Sequence, residues 1–419
     1  MQRFSLQSLL KLAVNPDNTA VGRLLMQCVA DRLAFQEDIL KSWRRRLDRV
    51  GQPEDKGSTG SFVGTISKSS DNNVIRTSTY HTPLWKEVSP SNQDANNEVW
   101  RTQAYPKARR KLDTIHWIHT DTQQACRHIL SLSNPQQYLR HTLTEVQARH
   151  ARTVETLAEM LVQDLRPHHV DLPVTQFLNQ RLGIQLLCEH FVEICKGKPY
   201  GTIDYQRSVQ EAVLDAVGEA NILTQAYYDV IPEIGIHLAT NEGNATTTTM
   251  NSSISPLATF VGPWLHYTLV ELLKNAVTAT VERHGATAPP PIHIYIGSDE
   301  LSTWIVVEDQ GTGLAPDANS ASAATPSLEL FRFAQTRQLW DRLDEQTTYA
   351  MVRSPLKGMG VGLSLSRRMM AYFGGALSLS NSSAGTGGAR ALVTLPHDLT
   401  ILEASNFEQG DEEDENGDV

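Results

Sequence analysis

VELLKNAVTAT occupies residues 270–280. Leucine and alanine are frequent in it, which favours an α-helix. Glu271 and Asn275 are four residues apart, so we expect them on one helix face, about 6 Å apart at Cβ. An amide oxygen suits Mg²⁺ that is held mainly by phosphates, and a glutamate one turn earlier can take a proton from a hydroxyl. Taken alone, the segment is better explained as a solvated helix face that carries a common charge and amide.

A second polar feature follows a predicted buried strand in VVEDQGTGL, residues 306–314. Asp309 ends this strand, and Gly311 and Gly313 allow the chain to turn sharply beside a ligand. A carboxylate in this place can accept a hydrogen bond from the exocyclic amine of adenine. The alternative interpretation is an ordinary Asp-Gly turn between two elements.

Alternating glycines precede a predicted amphipathic helix in LKGMGVGLSLSRRMMAYFGG, residues 356–375. Gly358, Gly360 and Gly362 would present free N–H groups, together with the positive end of a helix dipole, to a phosphate. No Gly-Lys-Ser/Thr follows, so the segment is not a P-loop. It does not follow a strand in a βαβ unit, which disfavours a dinucleotide-binding Rossmann site.

The fourth segment is GTGGARALVTL, residues 385–395, in which Thr386 stands at the entry to the last predicted strand. Its hydroxyl can join Asp309 beside adenine. Around these segments the pattern predicts helices over 264–284 and 362–373, and two pairs of strands. The pairs are 291–297 with 302–309, and ALSLS with ARALVTLP. Helices and strand pairs in this order predict an α+β sandwich.

The N-terminal half has helical periodicity. In QYLRHTLTEVQARHARTVETLAEMLVQDL, apolar residues and His150 recur at steps of three and four residues. We therefore predict a helical bundle domain over residues 1–232, followed by the sandwich domain over 233–402. Residues 51–104 are rich in Gly, Ser, Asp and Asn and are interpreted as an insertion or flexible loop. Residues 403–419 are predicted to be a disordered acidic tail.

Together the four segments resemble the N, G1, G2 and G3 boxes of the GHKL ATPases, which share the Bergerat nucleotide-binding fold. The form of the first box resembles the mitochondrial pyruvate and branched-chain 2-oxoacid dehydrogenase kinases. Further segments are similar to helices of those kinases: RFSLQSLLKLA, ADRLA, QARHARTVETLAEML and QRLGIQLLCEH, the last particularly to the branched-chain form. Because the first of these starts at Arg3, we expect residues 3–13 to be an ordinary first helix and any presequence to be absent or very short.

The resemblance implies an α+β protein that binds ATP and Mg²⁺ and phosphorylates serine. Glu271 would be the base or orienter of the substrate hydroxyl, and Asn275 the Mg²⁺ ligand. Asp309 and Thr386 would contact adenine. The remaining glycines would shape the pocket and the phosphate-binding lid: Gly311, Gly313, Gly358, Gly360 and Gly362.

By the same resemblance, the substrate would be the decarboxylase component of a 2-oxoacid dehydrogenase complex in the mitochondrial matrix. Docking would use a lipoyl domain of the acyltransferase core, and the kinase would form a homodimer. Departures from the family pattern concern Thr278, Gly387 and the lid, where FRFAQTRQLWDRL replaces the usual Ser/Thr-Thr-Ala segment. Pyruvate and branched-chain complexes both remain open as targets.

Composition narrows the choice of function. Charged residues make up 20% of the chain, and seven acidic residues from Glu408 onward account for most of the net charge of −10. The rest is nearly neutral, which argues against nucleic-acid binding. No apolar run approaches the roughly 18 residues of a membrane span. The four cysteines form no CxxC pair and are predicted to be reduced thiols.

Two other functions stay open at this point. A two-component histidine kinase would need an accessible phosphoacceptor, and His150 in RHARTV is the candidate. Its position on an apolar helix face favours a packed core histidine instead. A nucleotide-binding scaffold without catalysis is the other alternative, because the lid is altered.

Overall fold

The computed structural model describes residues 2–15, 18–51, 99–133, 135–166, 172–228, 230, 232–239, 255–314, 331, 333, 360–382 and 387–404. Within these ranges, helices dominate the first half of the chain, and a sheet covered by helices forms the second half. The α+β class predicted from the sequence is confirmed. No described helix combines the length and the apolar character needed to cross a bilayer.

The N-terminal half packs α2, α3, α4 and α6 against one another. Leucines recurring at helical spacing explain the packing, since Leu139 and Leu143 are almost completely buried. The segment 137–165, which has helical periodicity, is divided between two helices, because α4 ends at His150 and α5 begins at Thr153. The bounds are α1 Leu6–Ala13, α2 Asn18–Gly51, α3 Tyr105–Ser131, α4 Gln136–His150, α5 Thr153–Glu159, α6 Thr175–Cys195 and α7 Val209–Tyr228, with π-helical segments Trp100–Ala104 and Met160–Leu165.

The predicted insertion over 51–104 is wrong at its C-terminal end. Trp100–Ala104 continue directly into α3, and Trp100 is buried in the bundle core. The glycine- and serine-rich composition upstream placed the predicted end of the insertion too far toward the C-terminus. The buried indole of Trp100 shows that this end belongs to the bundle. Residues 52–98 lie outside the described residues.

The C-terminal half contains a five-stranded sheet in the order β2-β4-β5-β7-β6. β2 is parallel to β4, and the other neighbours are antiparallel. Helices α8 and α9 contact each other and lie on this sheet. The bounds are β2 Ile234–Leu238, α8 Gly262–His284, β4 Ile292–Ser298, β5 Ser302–Glu308, α9 Gly362–Ala371, β6 Ala376–Asn381 and β7 Ala389–Pro396. Both predicted strand pairs and both predicted helices are confirmed, and β2 was missed.

A two-stranded sheet pairs β1, Ile203–Ser208, with β3, Leu257–Val261. These strands come from opposite sides of the predicted domain boundary at 232/233, and neither was predicted from the sequence. β3 runs directly into α8. The pairing therefore fixes the start of α8, the helix that carries Glu271 and Asn275, against the bundle half of the chain.

The first and the last of the described segments meet. Ser5 forms an isolated β-bridge with Leu402, and the Glu403 N–H donates to the Phe4 carbonyl at 2.7 Å. Glu403 is only 4% exposed. The prediction that the acidic tail begins at 403 is therefore wrong by two residues, because the carboxylate of Glu403 has buried partners that local sequence does not reveal. Residues 405–419 lie outside the described residues.

Candidate functional site

Helix α8 supplies the first part of the site. Pro263 stands at its first turn and Gly285 ends it with a φ of 80°. Leu272, Leu273 and the following apolar residues are buried. Glu271 and Asn275 lie on the opposite, less buried side, where Asn275 is exposed. The prediction that these two side chains share one helix face is confirmed.

The structure adds a residue that sequence reasoning missed. Lys274 is only 8% exposed, and its Nζ lies 2.5 Å from Glu271 Oε1. A buried ammonium needs a charged or hydrogen-bonding partner, and Glu271 provides it. The three-residue spacing on a helix was the available signal. The ion pair holds Oε1 of the Glu271 carboxylate, and Oε2 is the oxygen that is not paired with Lys274.

That second oxygen lies against the start of α9. A Cβ atom placed on Gly362 would come within 2.1 Å of Glu271 Oε2, so the position admits only glycine while Glu271 keeps this rotamer. The helix begins at Gly362, and Gly360 just before it has a φ of 69°. The first and third sequence segments therefore meet, as predicted. Gly358 lies outside the described residues, and its role stays a prediction.

Asp309 forms the other side of the site. It follows β5 directly and is 7% exposed. Its Oδ1 accepts hydrogen bonds from the backbone N–H groups of Gly311, at 2.8 Å, and Ala389, at 3.1 Å. Burial raises the pKa of the Asp309 carboxyl, and these two hydrogen bonds oppose the shift. Both bonds fall on one oxygen, so the turn after β5 and the start of β7 together orient this carboxyl group.

Close backbone packing explains the glycines beside Asp309. A Cβ on Gly311 would lie 2.5 Å from the Ala279 Cβ, so the turn packs directly on α8, four residues beyond Asn275. Gly313 has a φ of 71°, in the left-handed region that favours glycine. The Asn381 side chain accepts from the Leu314 N–H at 2.7 Å and holds the end of the turn.

A further glycine that sequence reasoning missed is Gly388. Its φ is 106°, and a Cβ there would lie 2.1 Å from the Asp309 carbonyl oxygen. The chain before β7 therefore passes directly over Asp309. Gly387 also has a positive φ, 73°, and lies against the Arg283 guanidinium, which donates to the Gly311 carbonyl at 2.7 Å. Thr386 lies outside the described residues, so its predicted contact with adenine stays a prediction.

The site has two sides, and each contains an acidic residue. The Glu271 side comprises Glu271, Lys274, Asn275 and Gly362, and the Asp309 side comprises Asp309, Gly311, Gly388 and Ala389. Helix α8 connects them. An exposed amide oxygen, a paired carboxylate and a helix N-terminus fit Mg²⁺ that is bound largely by phosphates. Among the described residues, no group of three or more His, Cys, Asp or Glu side chains is placed to hold a metal ion.

The histidine candidate lies in the bundle, away from both sides. His150 is fully buried, contacts Thr122 Oγ1 at 3.2 Å, and lies edge-on to His119 with ring centroids 4.4 Å apart. Burial lowers the pKa of His150 to about 2 and that of His119 to about 3. The interpretation of His150 as a packed core histidine is confirmed.

Two other sequence features have simple structural outcomes. All four cysteines are free, as predicted, and burial raises the pKa of Cys126 to about 12. Thr278 is partly buried on α8, and its hydroxyl has no hydrogen-bond partner within the part of the chain that the structure describes.

Comparison with known proteins agrees with this geometry. Residues 261–399 match the family described as histidine kinase-, DNA gyrase B-, and HSP90-like ATPase. The matched region begins at the last residue of β3 and ends just after β7, so it contains both sides of the site.

Curated relatives extend the match beyond this region. A probable mitochondrial pyruvate dehydrogenase (acetyl-transferring) kinase of Caenorhabditis elegans is 31% identical over 286 residues, 63% of this chain and 65% of the relative. The kinase of Ascaris suum is 30% identical over 61% of this chain and 62% of its own length. Human isozyme 1 is 26% identical over 57% and 54%. The chain thus spans less than two thirds of each relative's length.

Among solved structures, the mycobacterial sensor histidine kinase MprB aligns with 45% of this chain and 95% of its own, at 15% identity. The TM-score of 0.30 is too low to support an argument. The motifs, their geometry and the family match converge on one assignment. Residues 261–399 form an ATPase domain of the histidine kinase, DNA gyrase B and HSP90-like (GHKL) superfamily, in a chain similar to mitochondrial pyruvate dehydrogenase kinases.

Proposed function

We propose that this protein is an ATP-dependent serine kinase that phosphorylates the decarboxylase component of a mitochondrial 2-oxoacid dehydrogenase complex and so inactivates it. The observation that carries the proposal is the meeting of a paired carboxylate, an exposed amide and a glycine-started helix at one place. Glu271, Asn275 and Gly362 supply these groups. The similarity to pyruvate dehydrogenase kinases supports the choice of substrate.

Nucleotide recognition is assigned to the Asp309 side. Oδ1 of Asp309 is used by two backbone N–H groups, and we assign Oδ2 as the acceptor for the exocyclic amine of adenine. Thr386 is proposed as a second contact to the base. The glycines Gly311, Gly313 and Gly388 let the backbone come close to the ring without a side chain between them.

Phosphate binding is assigned to the Glu271 side. Gly360, Gly362 and the first N–H groups of α9 would face the phosphates, whose negative charge the N-terminal end of a helix favours. Gly358 is proposed to extend the same loop. Asn275 would hold Mg²⁺, which when bound neutralises charge on the phosphates and holds them in line for transfer.

Glu271 is proposed to act on the attacking hydroxyl. The substrate serine oxygen forms a bond to the γ-phosphorus as the bond from that phosphorus to the β,γ-bridging oxygen breaks. The serine proton passes to Glu271 Oε2, the oxygen not paired with Lys274. Lys274 holds the carboxylate in place through the 2.5 Å contact. Positioning and charge stabilisation supply most of the catalysis in such transfers.

Partners follow from the proposed substrate. We propose docking on a lipoyl domain of the acyltransferase core, a homodimer formed through the bundle, and a location in the mitochondrial matrix. Of these, the mitochondrial names of the relatives support the location. The molecular mass of the protein in solution, measured with and without an isolated lipoylated domain, tests both the docking and the homodimer. A monomer that binds the lipoyl domain of neither complex would contradict them.

The test of the function is transfer from γ-labelled ATP to purified complexes. Pyruvate and branched-chain complexes are incubated separately with the protein, and the labelled residue is located by peptide mapping. We expect serine phosphate on the decarboxylase component, with the pyruvate complex preferred. Label on a histidine of the protein itself would support a histidine kinase instead, although full burial of His150 disfavours that function. Nucleotide binding without any transfer would support a scaffold.

A further inference from the structure

A buried polar cluster lies outside the nucleotide site. Arg32, Tyr372 and Glu403 form this Arg32 cluster, and they are 3%, 1% and 4% exposed. Arg32 makes an ion pair with Glu403 and donates through Nη1 to the Tyr372 hydroxyl at 3.2 Å. The Tyr372 hydroxyl donates to Glu403 Oε2 at 2.5 Å. Buried charges are costly without partners, and here Arg32 and Glu403 pair with each other, while Arg32 Nε has no hydrogen-bond partner among the described residues.

The cluster joins distant parts of the chain. Arg32 comes from α2 of the bundle, Tyr372 follows the last residue of α9, and Glu403 follows the final strand. The Ala404 N–H donates to the Tyr372 carbonyl at 2.9 Å, and the Phe4 N–H donates to Glu403 Oε1 at 3.2 Å. Both terminal segments are thereby held over the C-terminal end of α9.

A glycine in the bundle makes room for the cluster. A Cβ on Gly183 of α6 would lie 2.1 Å from Arg32 Nη1 and 2.5 Å from the Tyr372 hydroxyl. Glycine within a helix costs about 1 kcal/mol relative to alanine. This contact explains why the position is a glycine. It also shows that α6 packs against the Arg32 cluster.

The bundle contacts the middle of α9 as well. Arg368 donates to Asn179 Oδ1 and Thr175 Oγ1 of α6, both at 3.2 Å. Leu365 is buried in the bundle core together with Phe333. A ten-residue helix is a rod about 15 Å long. A shift at its C-terminal end is therefore carried to Gly362, which lies against Glu271.

We propose that Arg32, Tyr372 and Glu403 are positioning residues for nucleotide binding. They fix α9 against the bundle and thereby set where its N-terminus lies relative to the Glu271 side. The inference rests on the nucleotide site of the proposed function. Because linkage is reciprocal, a nucleotide bound at the start of α9 stabilises the cluster as much as the cluster stabilises the bound nucleotide.

The first test compares ADP affinity in the full chain by calorimetry with Mg-ADP. Tyr372→Phe removes the hydroxyl but keeps the ring, which packs edge-on against Trp264 at 5.1 Å. We expect the dissociation constant to rise about 5- to 20-fold, which lies at the lower end of the usual range of such coupling. Tyr105→Phe is the matched control, because it removes a hydroxyl that donates to Asp48 at 2.8 Å within the bundle. The same affinity in both variants would overturn the inference.

Hydrogen exchange on the same preparations separates positioning from simple stability. Mg-ADP should slow exchange in wild-type peptides covering residues 2–6 and 399–404, and Tyr372→Phe should abolish this slowing. Slowing confined to peptides around 270–280 and 309–314 would overturn the inference and leave the nucleotide site intact. Absence of ADP binding and of slowing at any peptide would remove the site itself, and the inference with it.

Discussion

On the Asp309 side of the candidate site the polar groups are already paired, whereas on the Glu271 side the key amide is exposed. Asp309 is buried and accepts two backbone hydrogen bonds. Asn275 is exposed, and Glu271 is held by one lysine. The Asp309 side is therefore preorganised by the fold, while the Glu271 side is completed by the nucleotide and its cation. Substitutions on the two sides should therefore have different signatures.

The largest expected effect is on the Glu271 side. Glu271→Gln keeps the shape of the side chain but removes the negative charge and the basicity. We expect the transfer rate to fall about 10²–10⁴-fold, the usual contribution of a positioned base, while nucleotide affinity changes little. Rates under saturating Mg-ATP and affinity by calorimetry, on one preparation, measure both. Glu282→Gln, at an exposed position on the same helix, should keep the wild-type rate.

A substitution on the Asp309 side should change the free energy of unfolding as well as nucleotide binding. Gly388→Ala places a Cβ where the Asp309 carbonyl stands and imposes a φ of 106° on a residue that disfavours it. We expect a loss of about 1–3 kcal/mol in the free energy of unfolding, together with weaker nucleotide binding, because Asp309 must shift. Urea unfolding and ADP titration measure the two effects.

Gly218→Ala is the control for this substitution. Gly218 lies within α7, and no neighbouring atom of a described residue lies within 4 Å of an added Cβ. Alanine should there stabilise the protein by about 1 kcal/mol. If Gly388→Ala were equally harmless, the close passage of the chain over Asp309 would be refuted.

Asn275 tests the cation. Asn275→Ala removes the proposed ligand of Mg²⁺, so affinity for Mg-ATP should fall about tenfold, equivalent to ~1.4 kcal/mol. Binding of ADP without Mg²⁺ should change much less, because the Asp309 side is intact. Titrations with and without the cation show the difference. Small and equal losses in both would contradict the metal assignment.

The smallest expected effect on nucleotide binding and phosphate transfer lies in the bundle, where substitution of the buried His150 should change only the pH dependence of stability. Burial keeps the pKa of His150 near 2, well below the ordinary value of about 6.5. The unfolded chain therefore takes up a proton that the native state refuses. The titration of His150 therefore costs no stability above about pH 6.5, and the free energy of unfolding decreases as the pH falls below that value.

His150→Gln should reduce this pH dependence by about one proton, measured by urea unfolding between about pH 6 and pH 4. His141→Gln is the control, because the His141 side chain is 72% exposed. If both variants kept the wild-type slope, His150 would not be buried in its neutral form.

Local patterns were enough to predict much of the fold and one side of the site. The four-residue spacing of Glu271 and Asn275 gave their shared face, and alternating glycines before a helix gave Gly360 and Gly362. Both depend on geometry within one element. The turn after β5 could be predicted for the same reason, since Asp309 and Gly311 are close in sequence.

What could not be predicted depends on contacts between distant residues. The place of Gly388 over Asp309 requires β7 to pair with β5, and the burial of Glu403 requires an arginine 371 positions earlier. Short strands such as β1 and β3 carry little periodicity of their own and exist because they pair. Composition misplaced the C-terminal end of the predicted insertion. The polar segment extends up to this point, but the indole of Trp100 is buried in the bundle core.

The central claim is that this chain transfers a phosphoryl group through Glu271 to a serine of another protein. The direct measurement follows label from γ-labelled ATP into the purified pyruvate dehydrogenase complex, with wild-type protein and Glu271→Gln side by side at saturating ATP. We expect acid-stable serine phosphate on the decarboxylase component, formed at least about 100-fold more slowly by the variant. No transfer by the wild type, or equal rates for the two proteins, would contradict it.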